Sequence, residues 1–269
     1  MAQTVAVLGT GKIGEALLSG MIRAGWRPAD LLVTTRRAER AEELRDRYGV
    51  DSVDNAEAAA RADILILAVK PQDMGRLLDE LAAHLTPGRL VISAAAGITT
   101  AFIEERLTAN TPVVRVMPNT PVLVDEGMSV ISAGSHATAG HLAAAEAIFG
   151  GVGKTLRVPE SQQDAATALS GSGPAYFYFL VEAMTDAGIL LGLPRAQAHE
   201  LIVQAAIGAA VMLRDSGEHP VKLREAVTSP AGTTISAIRE LENHGVRAAL
   251  IAALEAARDR SRELASGNG

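Results

Sequence analysis

Gly9, Gly11 and Gly14 are spaced G-x-G-x-x-G in the stretch Gly9-Thr10-Gly11-Lys12-Ile13-Gly14. The short apolar run Val5-Ala6-Val7-Leu8 precedes them, and Ala16, Leu17, Gly20, Met21 and Ala24 follow at helical spacing, with Gly25 as a natural stop. Strand, glycine turn and helix in that order suit a pyrophosphate. Gly9 makes the tight turn, Gly11 lets the backbone approach the phosphates, and Gly14 lets the helix sit close on the strand. The free amides at the helix start then face the anion. The same spacing also serves as a plain tight turn in other α/β proteins. Roughly 20 residues past the glycines, where an NAD-binding fold carries a carboxylate for the ribose 2′-hydroxyl, stands Thr35-Arg36-Arg37. A guanidinium brings fixed charge and a donor fork, which suits a 2′-phosphate. In this context Arg36 points to NADPH, with NADH the weaker alternative; elsewhere the pair would be a solvated loop.

A second group of polar residues lies at Thr228-Ser229-Pro230-Ala231-Gly232-Thr233-Thr234, a turn that opens a helix. Its unpaired amides and the hydroxyls of Ser229, Thr233 and Thr234 suit a substrate carboxylate. The competing reading is that Thr233 or Thr234 caps its own helix. Ser170-Gly171-Ser172-Gly173-Pro174 has a similar ambiguity between close helix contact and backbone lining a site.

Other chemistry is scarce. The chain has no cysteine, which removes disulfides, thiolate metal sites and cysteine nucleophiles together. None of its six histidines forms HExxH, and His136 and His141, five apart, fall on different helix faces, so no metal is expected. Any reaction must draw on a bound cofactor or on hydroxyls, amides and lysines. A net charge of −6 and the lack of a basic stripe argue against nucleic acid. No run approaches the ~18 apolar residues of a membrane span, and no signal peptide precedes Val5, so a soluble cytoplasmic protein is expected.

The elements that must position these groups alternate through the first part of the chain. Strands are expected at residues 31–34, 64–69, 90–93 and 113–116, with further strand-like pieces near 128–131 and 155–158. Helices are expected at 39–48, 56–60, 73–85 and 138–149. The continuously apolar 64–69 reads as a buried parallel strand that delivers Lys70, Pro71 and Gln72 to its carboxyl end, where ligands bind in open α/β sheets. The loop Ala94-Ala95-Ala96-Gly97 is flat enough for a planar ring. From residue 161 the pattern turns helical, and small or apolar faces such as Val246, Ala249, Leu250, Ala253, Leu254 and Ala257 suggest burial against a second copy. The expected organisation is an α/β N-terminal Rossmann-type domain with a mostly parallel sheet, residues 1–160, followed by an all-α dimerisation and substrate-binding domain, residues 161–269. Residues 266–269 read as a frayed tail.

Five stretches together resemble the pyrroline-5-carboxylate reductase family. They are residues 9–14, Ala68-Val69-Lys70-Pro71-Gln72, Arg115-Val116-Met117-Pro118-Asn119-Thr120-Pro121, residues 168–176 around Ser170-Gly171-Ser172-Gly173-Pro174, and Ser229-Pro230-Ala231-Gly232-Thr233-Thr234. The resemblance implies NADPH-dependent reduction of the C=N bond of 1-pyrroline-5-carboxylate to L-proline, the last step of proline synthesis. It implies that the cofactor contacts Gly9, Thr10, Gly11, Lys12, Ile13, Gly14, Arg36, Asn55, Ala68, Val69, Lys70, Pro71, Ala95 and Gly97. Ser229, Gly232, Thr233 and Thr234 would hold the substrate carboxylate and ring nitrogen, with Thr234 the catalytic contact. It also implies a homodimer through the helices, open to larger homo-oligomers, with each site shared between subunits. Two departures stand out. Ala231-Gly232 replaces a frequent Gly-Gly, tolerable if Ala231 keeps a negative φ, and Ala226 replaces a polar residue of some members. The rivals are an NADP-linked β-hydroxyacid dehydrogenase and a non-catalytic NADPH sensor.

Overall fold

The computed structural model describes residues 3–265, so the tail at 266–269 lies outside the described residues. The chain divides into two compact units. One holds the residues up to Ser172 and the chain from Ala257, the other Gly173–Ala256. This division does not coincide with the one at 160/161, because the helical turns just after residue 160 and the end of the last helix group with the sheet.

The first unit is built from β1 (Val5–Leu8), α1 (Lys12–Arg23), β2 (Leu31–Thr34), α2 (Ala38–Tyr48), β3 (Asp51–Ser52), α3 (Asn55–Arg61), β4 (Ile64–Leu67) and α4 (Pro71–Ala82). It continues with β5 (Leu90–Ser93), α5 (Thr100–Glu104), β6 (Val113–Pro118), β7 (Gly127–Ala133), α6 (Ala139–Phe149), β8 (Gly153–Arg157) and α7 (Gln163–Ala166). The eight strands form one sheet in the order β3-β2-β1-β4-β5-β6-β7-β8. Alternation explains why its central strands are apolar throughout. Val5, Val7, Ile64 and Ile66 pack on one face with Leu17 and Met21 of α1 and Phe149 of α6. Ala6, Leu8, Leu65 and Leu67 pack on the other with Ala58 of α3 and Met74, Leu78 and Leu81 of α4. Each such Val, Leu or Ile contributes ~1.5–3 kcal/mol on burial, so the sheet is the rigid part of the unit. The sheet reverses direction at β7, which runs antiparallel to β6. The connection there is a short 3₁₀ turn, Thr120–Val124, with no crossover helix to carry the chain back. The helix α6 restores a parallel pairing between β7 and β8.

The second unit consists of α8 (Gly173–Leu190), α9 (Arg195–Ser216), α10 (Pro220–Ala226), α11 (Thr233–Asn243) and the first part of α12 (Val246–Ala265). It buries little of itself. Phe177, Tyr178, Phe179 and Leu190 are 66, 66, 69 and 89% exposed, an apolar surface too large for a chain that works alone. By length and composition α9 is apolar enough to cross a membrane, with an 18-residue window of mean hydropathy 1.3 that is 6% buried, a test that packed helices of soluble proteins also pass. Its apolarity comes from alanines and single large residues rather than from a conspicuous run. Ala205, Ala206, Gly208, Ala209 and Ala210 give it a surface over which another helix packs closely.

The turn between β1 and α1 is packed too tightly for a side chain at Gly14. A Cβ on Gly14 would stand 2.2 Å from the carbonyl oxygen of Gly9, whereas one on Gly11 would meet nothing within 4 Å. Gly14→Ala therefore should lower unfolding free energy by ~1–3 kcal/mol in urea titration, and Gly11→Ala by less than ~1 kcal/mol. Equal losses would show that α1 is not seated against the turn as described.

Candidate functional site

β1 is the point where the sheet changes direction of growth, because Leu8 is in register with Thr34 on one side and Leu67 on the other. The segments that follow these three residues therefore emerge side by side at the carboxyl edge of the sheet. They border a cleft of about 630 Å³. Gly9, Thr10, Gly11, Arg36, Asn55, Ala68, Val69 and Lys70 line it, together with Arg37, Arg40, Asp54 and, from α4, Asp73, Arg76, Leu77 and Glu80.

The floor of the cleft fits a dinucleotide phosphate on two counts. Nothing in the protein requires a glycine at position 11, where the space is open, and Gly11 caps α1 without any side-chain acceptor. The first-turn amides stay available to an anion that approaches there. Beside them Thr10 Oγ1 is buried with no hydrogen-bond partner, an arrangement that costs ~1–3 kcal/mol unless a ligand satisfies it. Gly9 takes φ +94°, and a Cβ there would lie 2.9 Å from the Ala68 carbonyl oxygen, so the two strand ends stay in contact beneath the cleft.

The arginines at the rim differ in how firmly they are held. Arg36 is 77% exposed and pairs with Asp73 at 3.4 Å. Asn55 donates from Nδ2 to Glu80 Oε2 at 3.0 Å. Arg40 is pinned. It donates to Glu15, to Glu43 at 2.9 Å and to the Thr10 carbonyl oxygen at 3.5 Å. Glu15 also accepts from Arg47 and from the Tyr48 hydroxyl, both at 3.1 Å. Burial pushes the Glu15 carboxyl up, but the hydrogen bonds from Arg40 and Tyr48 and the charges of Arg40 and Arg47 outweigh it and hold the group below its ordinary value. Burial, helped by the hydrogen bond to Glu15, raises the Tyr48 phenol.

Six of the residues expected around the cofactor do not line the cleft. Lys12 borders a second cleft of about 220 Å³ with Glu15, Arg23, Arg47 and Tyr48. Ile13 packs against the core, Gly14 is taken up by the contact with Gly9, and Pro71 is the first residue of α4. Ala95 is buried, and the Cβ position at Gly97 lies 3.6 Å from Leu264 Cβ, so the end of α12 backs this loop. Conversely, Arg40, Asp73 and Arg76 escaped the sequence reading. The available signal was the polar face of α4, where Asp73, Arg76 and Glu80 recur at helical spacing opposite Met74, Leu78 and Leu81.

In the second unit, residues 229–232 form a turn in which the Gly232 amide donates to the Ser229 carbonyl oxygen at 3.1 Å. Gly232 caps α11 with no side-chain hydrogen bond, so Thr233 and Thr234 do not cap their own helix. A Cβ on Gly232 would lie 2.3 Å from Ser229 Oγ, which holds that hydroxyl close to the helix start. Ala231 contradicts its expectation. It has φ +56°, the left-handed region, because it is the second central residue of a turn whose first is Pro230. A glycine would sit there unstrained, and alanine carries ~1–2 kcal/mol of strain. Around Ser170 the close-contact reading holds for Gly171, whose Cβ position lies 2.9 Å from Met117 Cε in a π-turn at Thr167–Gly171. Asn119 ties that turn to the sheet, donating to the Ser170 carbonyl oxygen at 3.1 Å and accepting from the Met128 amide at 2.9 Å.

The lowered Glu15 carboxyl gives a pH signature. A carboxyl with a folded value below its unfolded one adds stability above the unfolded value, lost as the pH falls through the folded one. Glu15→Gln should cost ~1 kcal/mol of stability at neutral pH. The gap from the unsubstituted protein should close in acid, below the ordinary carboxylate range, as thermal midpoints across pH will show. A gap independent of pH would contradict the charge network.

Residues 160–264 match the family described as "Pyrroline-5-carboxylate reductase dimerisation", and residues 4–97 match "NADP oxidoreductase coenzyme F420-dependent". The pyrroline-5-carboxylate reductase of Corynebacterium melassecola is 48% identical over 97% of this chain and 98% of its own length. That of Methanosarcina acetivorans is 44% identical over 97% and 98%. Among solved structures, a pyrroline-5-carboxylate reductase from Coxiella burnetii superimposes with a TM-score of 0.94 at 37% identity, covering 98% of this chain and 99% of that one. The Plasmodium falciparum pyrroline carboxylate reductase solved with NADP bound gives 0.86 at 28% identity, covering 98% of both chains. An end-to-end relationship at this level, with an NADP-type cleft in the first unit and the dimerisation helices in the second, places the chain in the pyrroline-5-carboxylate reductase family.

Proposed function

We propose that the protein reduces 1-pyrroline-5-carboxylate to L-proline with NADPH, and that NADH serves less well. The observation that carries the substrate half of this reading is the start of α11. It has no side-chain cap, and the hydroxyls of Ser229, Thr233 and Thr234 stand beside its free amides. Such a constellation suits a carboxylate next to a ring nitrogen. NADPH, when bound, supplies the hydride. The chain's own residues position the partners and exclude water. The amides at residues 9–14 and the Thr10 hydroxyl hold the pyrophosphate, and Arg36 holds the 2′-phosphate. Lys70 would border the nicotinamide end, and Pro71, Ala95 and Gly97, outside the cleft lining itself, would meet the cofactor where it extends beyond that cleft. Ser229, Gly232 and Thr233 fix the carboxylate, and Thr234 hydrogen-bonds the ring nitrogen. As the ring carbon gains hydride, the C=N π pair passes to nitrogen, which carries a proton taken from solvent.

The β-hydroxyacid dehydrogenase alternative needs a lysine in the helical part. The lysine available there, Lys222, is 71% exposed and pairs with Glu218 at 3.1 Å, outside the residue 229–234 turn. A non-catalytic sensor would bind NADPH and show no turnover. Adding pyrroline-5-carboxylate and following NADPH absorbance therefore separates the readings. In the same assay Thr234→Ala should lose most turnover. Because Thr234 caps nothing, its stability should stay within ~0.5 kcal/mol of the unsubstituted protein. Normal turnover in a destabilised variant would point back to a capping role.

The exposed apolar helices of the second unit support a homodimer, and we place each active site across it: the residue 229–234 turn of one copy serves the cleft of the other. Larger assemblies would be built from this dimer. Gly11→Asp and Thr234→Ala, each nearly inactive alone, should then complement. In a random mixture about half the dimers are hybrid, each with one intact composite site, so roughly a quarter of full activity should return. Activity that stays at the level of the separate variants, with mixing verified by native mass spectrometry, would mean that each chain builds its site alone.

A further inference from the structure

We infer that Asp73 sets the margin of NADPH over NADH by competing with the cofactor for Arg36. The inference rests on the reading of Arg36 as the 2′-phosphate contact. Most charged groups at the rim already have fixed partners. Arg40 is held by Glu15 and Glu43, Glu80 accepts from Asn55, and Asp54 accepts from the Glu57 amide at the start of α3. Asp73 is the acid that faces the two looser arginines. Its carboxylate lies 3.4 Å from Arg36 and 3.8 Å from Arg76.

The geometry makes the aspartate the fixed partner. Asp73 sits in the first turn of α4, whose apolar face is locked into the core, and its side chain is 26% exposed against 77 and 73% for the two arginines. The arginines therefore move to the carboxylate. Because Arg36 already donates from Nη2 to Asp73, a 2′-phosphate that takes the guanidinium fork competes with that carboxylate for it. The displaced carboxylate then stays close to a like charge. An exposed pair of this length is weak, which sets the effect at several-fold rather than orders of magnitude. NADH carries a neutral 2′-hydroxyl and meets no such opposition. The wild-type cleft thus holds NADPH less tightly than its arginines allow.

The test is a fluorescence titration of NADPH and NADH against the full-length protein, Asp73→Asn, Arg36→Ala and the double variant. Asp73→Asn should tighten NADPH ~three- to tenfold while NADH changes by less than ~twofold. In the Arg36→Ala background the NADPH gain should shrink to ~twofold or less. Unchanged or weaker NADPH binding would overturn the proposal. So would an equal change for both cofactors, the outcome expected if Asp73 merely balances the charge at the start of α4, or an undiminished gain without Arg36. Arg36→Ala alone tests the underlying reading and should weaken NADPH roughly tenfold to a hundredfold with little effect on NADH. If it leaves the ratio of the two affinities unchanged, Arg36 does not recognise the phosphate. If the ratio collapses and Asp73→Asn still fails to raise it, the Asp73 proposal alone falls.

Discussion

The contact between Gly14 and the Gly9 carbonyl oxygen is the constraint on which the first unit depends. No side chain fits between them, so α1 begins directly on the end of β1 and its first amides are delivered to the carboxyl edge of the sheet. That edge is also where β2 and β4 end, in register with Leu8. A single steric requirement thus aligns the amides at residue 11, the arginines after Thr34 and the backbone after Leu67 around one cleft. The core beneath, with alternate residues of each strand assigned to opposite faces, makes the alignment rigid.

Polar groups are then distributed according to the work asked of them. The Glu15, Arg40, Arg47 and Tyr48 cluster joins α1 to α2 and fixes one wall, and its carboxyl is held below its ordinary value by the three groups around it, Arg40, Arg47 and Tyr48. Arg36 and Arg76 remain largely exposed and reach Asp73 at 3.4 and 3.8 Å. The helical unit follows a different logic. Its apolar residues face outward in the single chain, as a helical unit that dimerises requires.

Much of this was legible in the sequence because local pattern and tertiary role coincide. The runs at residues 5–8 and 64–67 are apolar at every position, and the sheet buries both of their faces. G-x-G-x-x-G marked the tight turn at Gly9 and the close helix contact at Gly14. Where role and local pattern part, the reading failed. β3 has two residues, one a surface aspartate, and no periodicity could reveal it. Ala231 takes a positive φ that its own side chain disfavours, because Pro230 and the closing hydrogen bond to Ser229 impose the turn. Asp73 and Arg76 look like an ordinary solvated helix face; only the packing of α4 beside β4 brings them to the rim. Lys12 lies within the glycine motif by position, yet the helix turns its side chain to another cleft.

The central claim is that the two sites act together in hydride transfer to an imine carbon. Its most direct measurement is a reaction of the full-length protein with 1-pyrroline-5-carboxylate and NADPH carrying deuterium at the transferable position, followed by mass spectrometry and NMR of the product. The account predicts L-proline one mass unit heavier, with the deuterium on the ring carbon that had been double-bonded to nitrogen. Unlabelled proline, or bound NADPH with no proline formed, would contradict it.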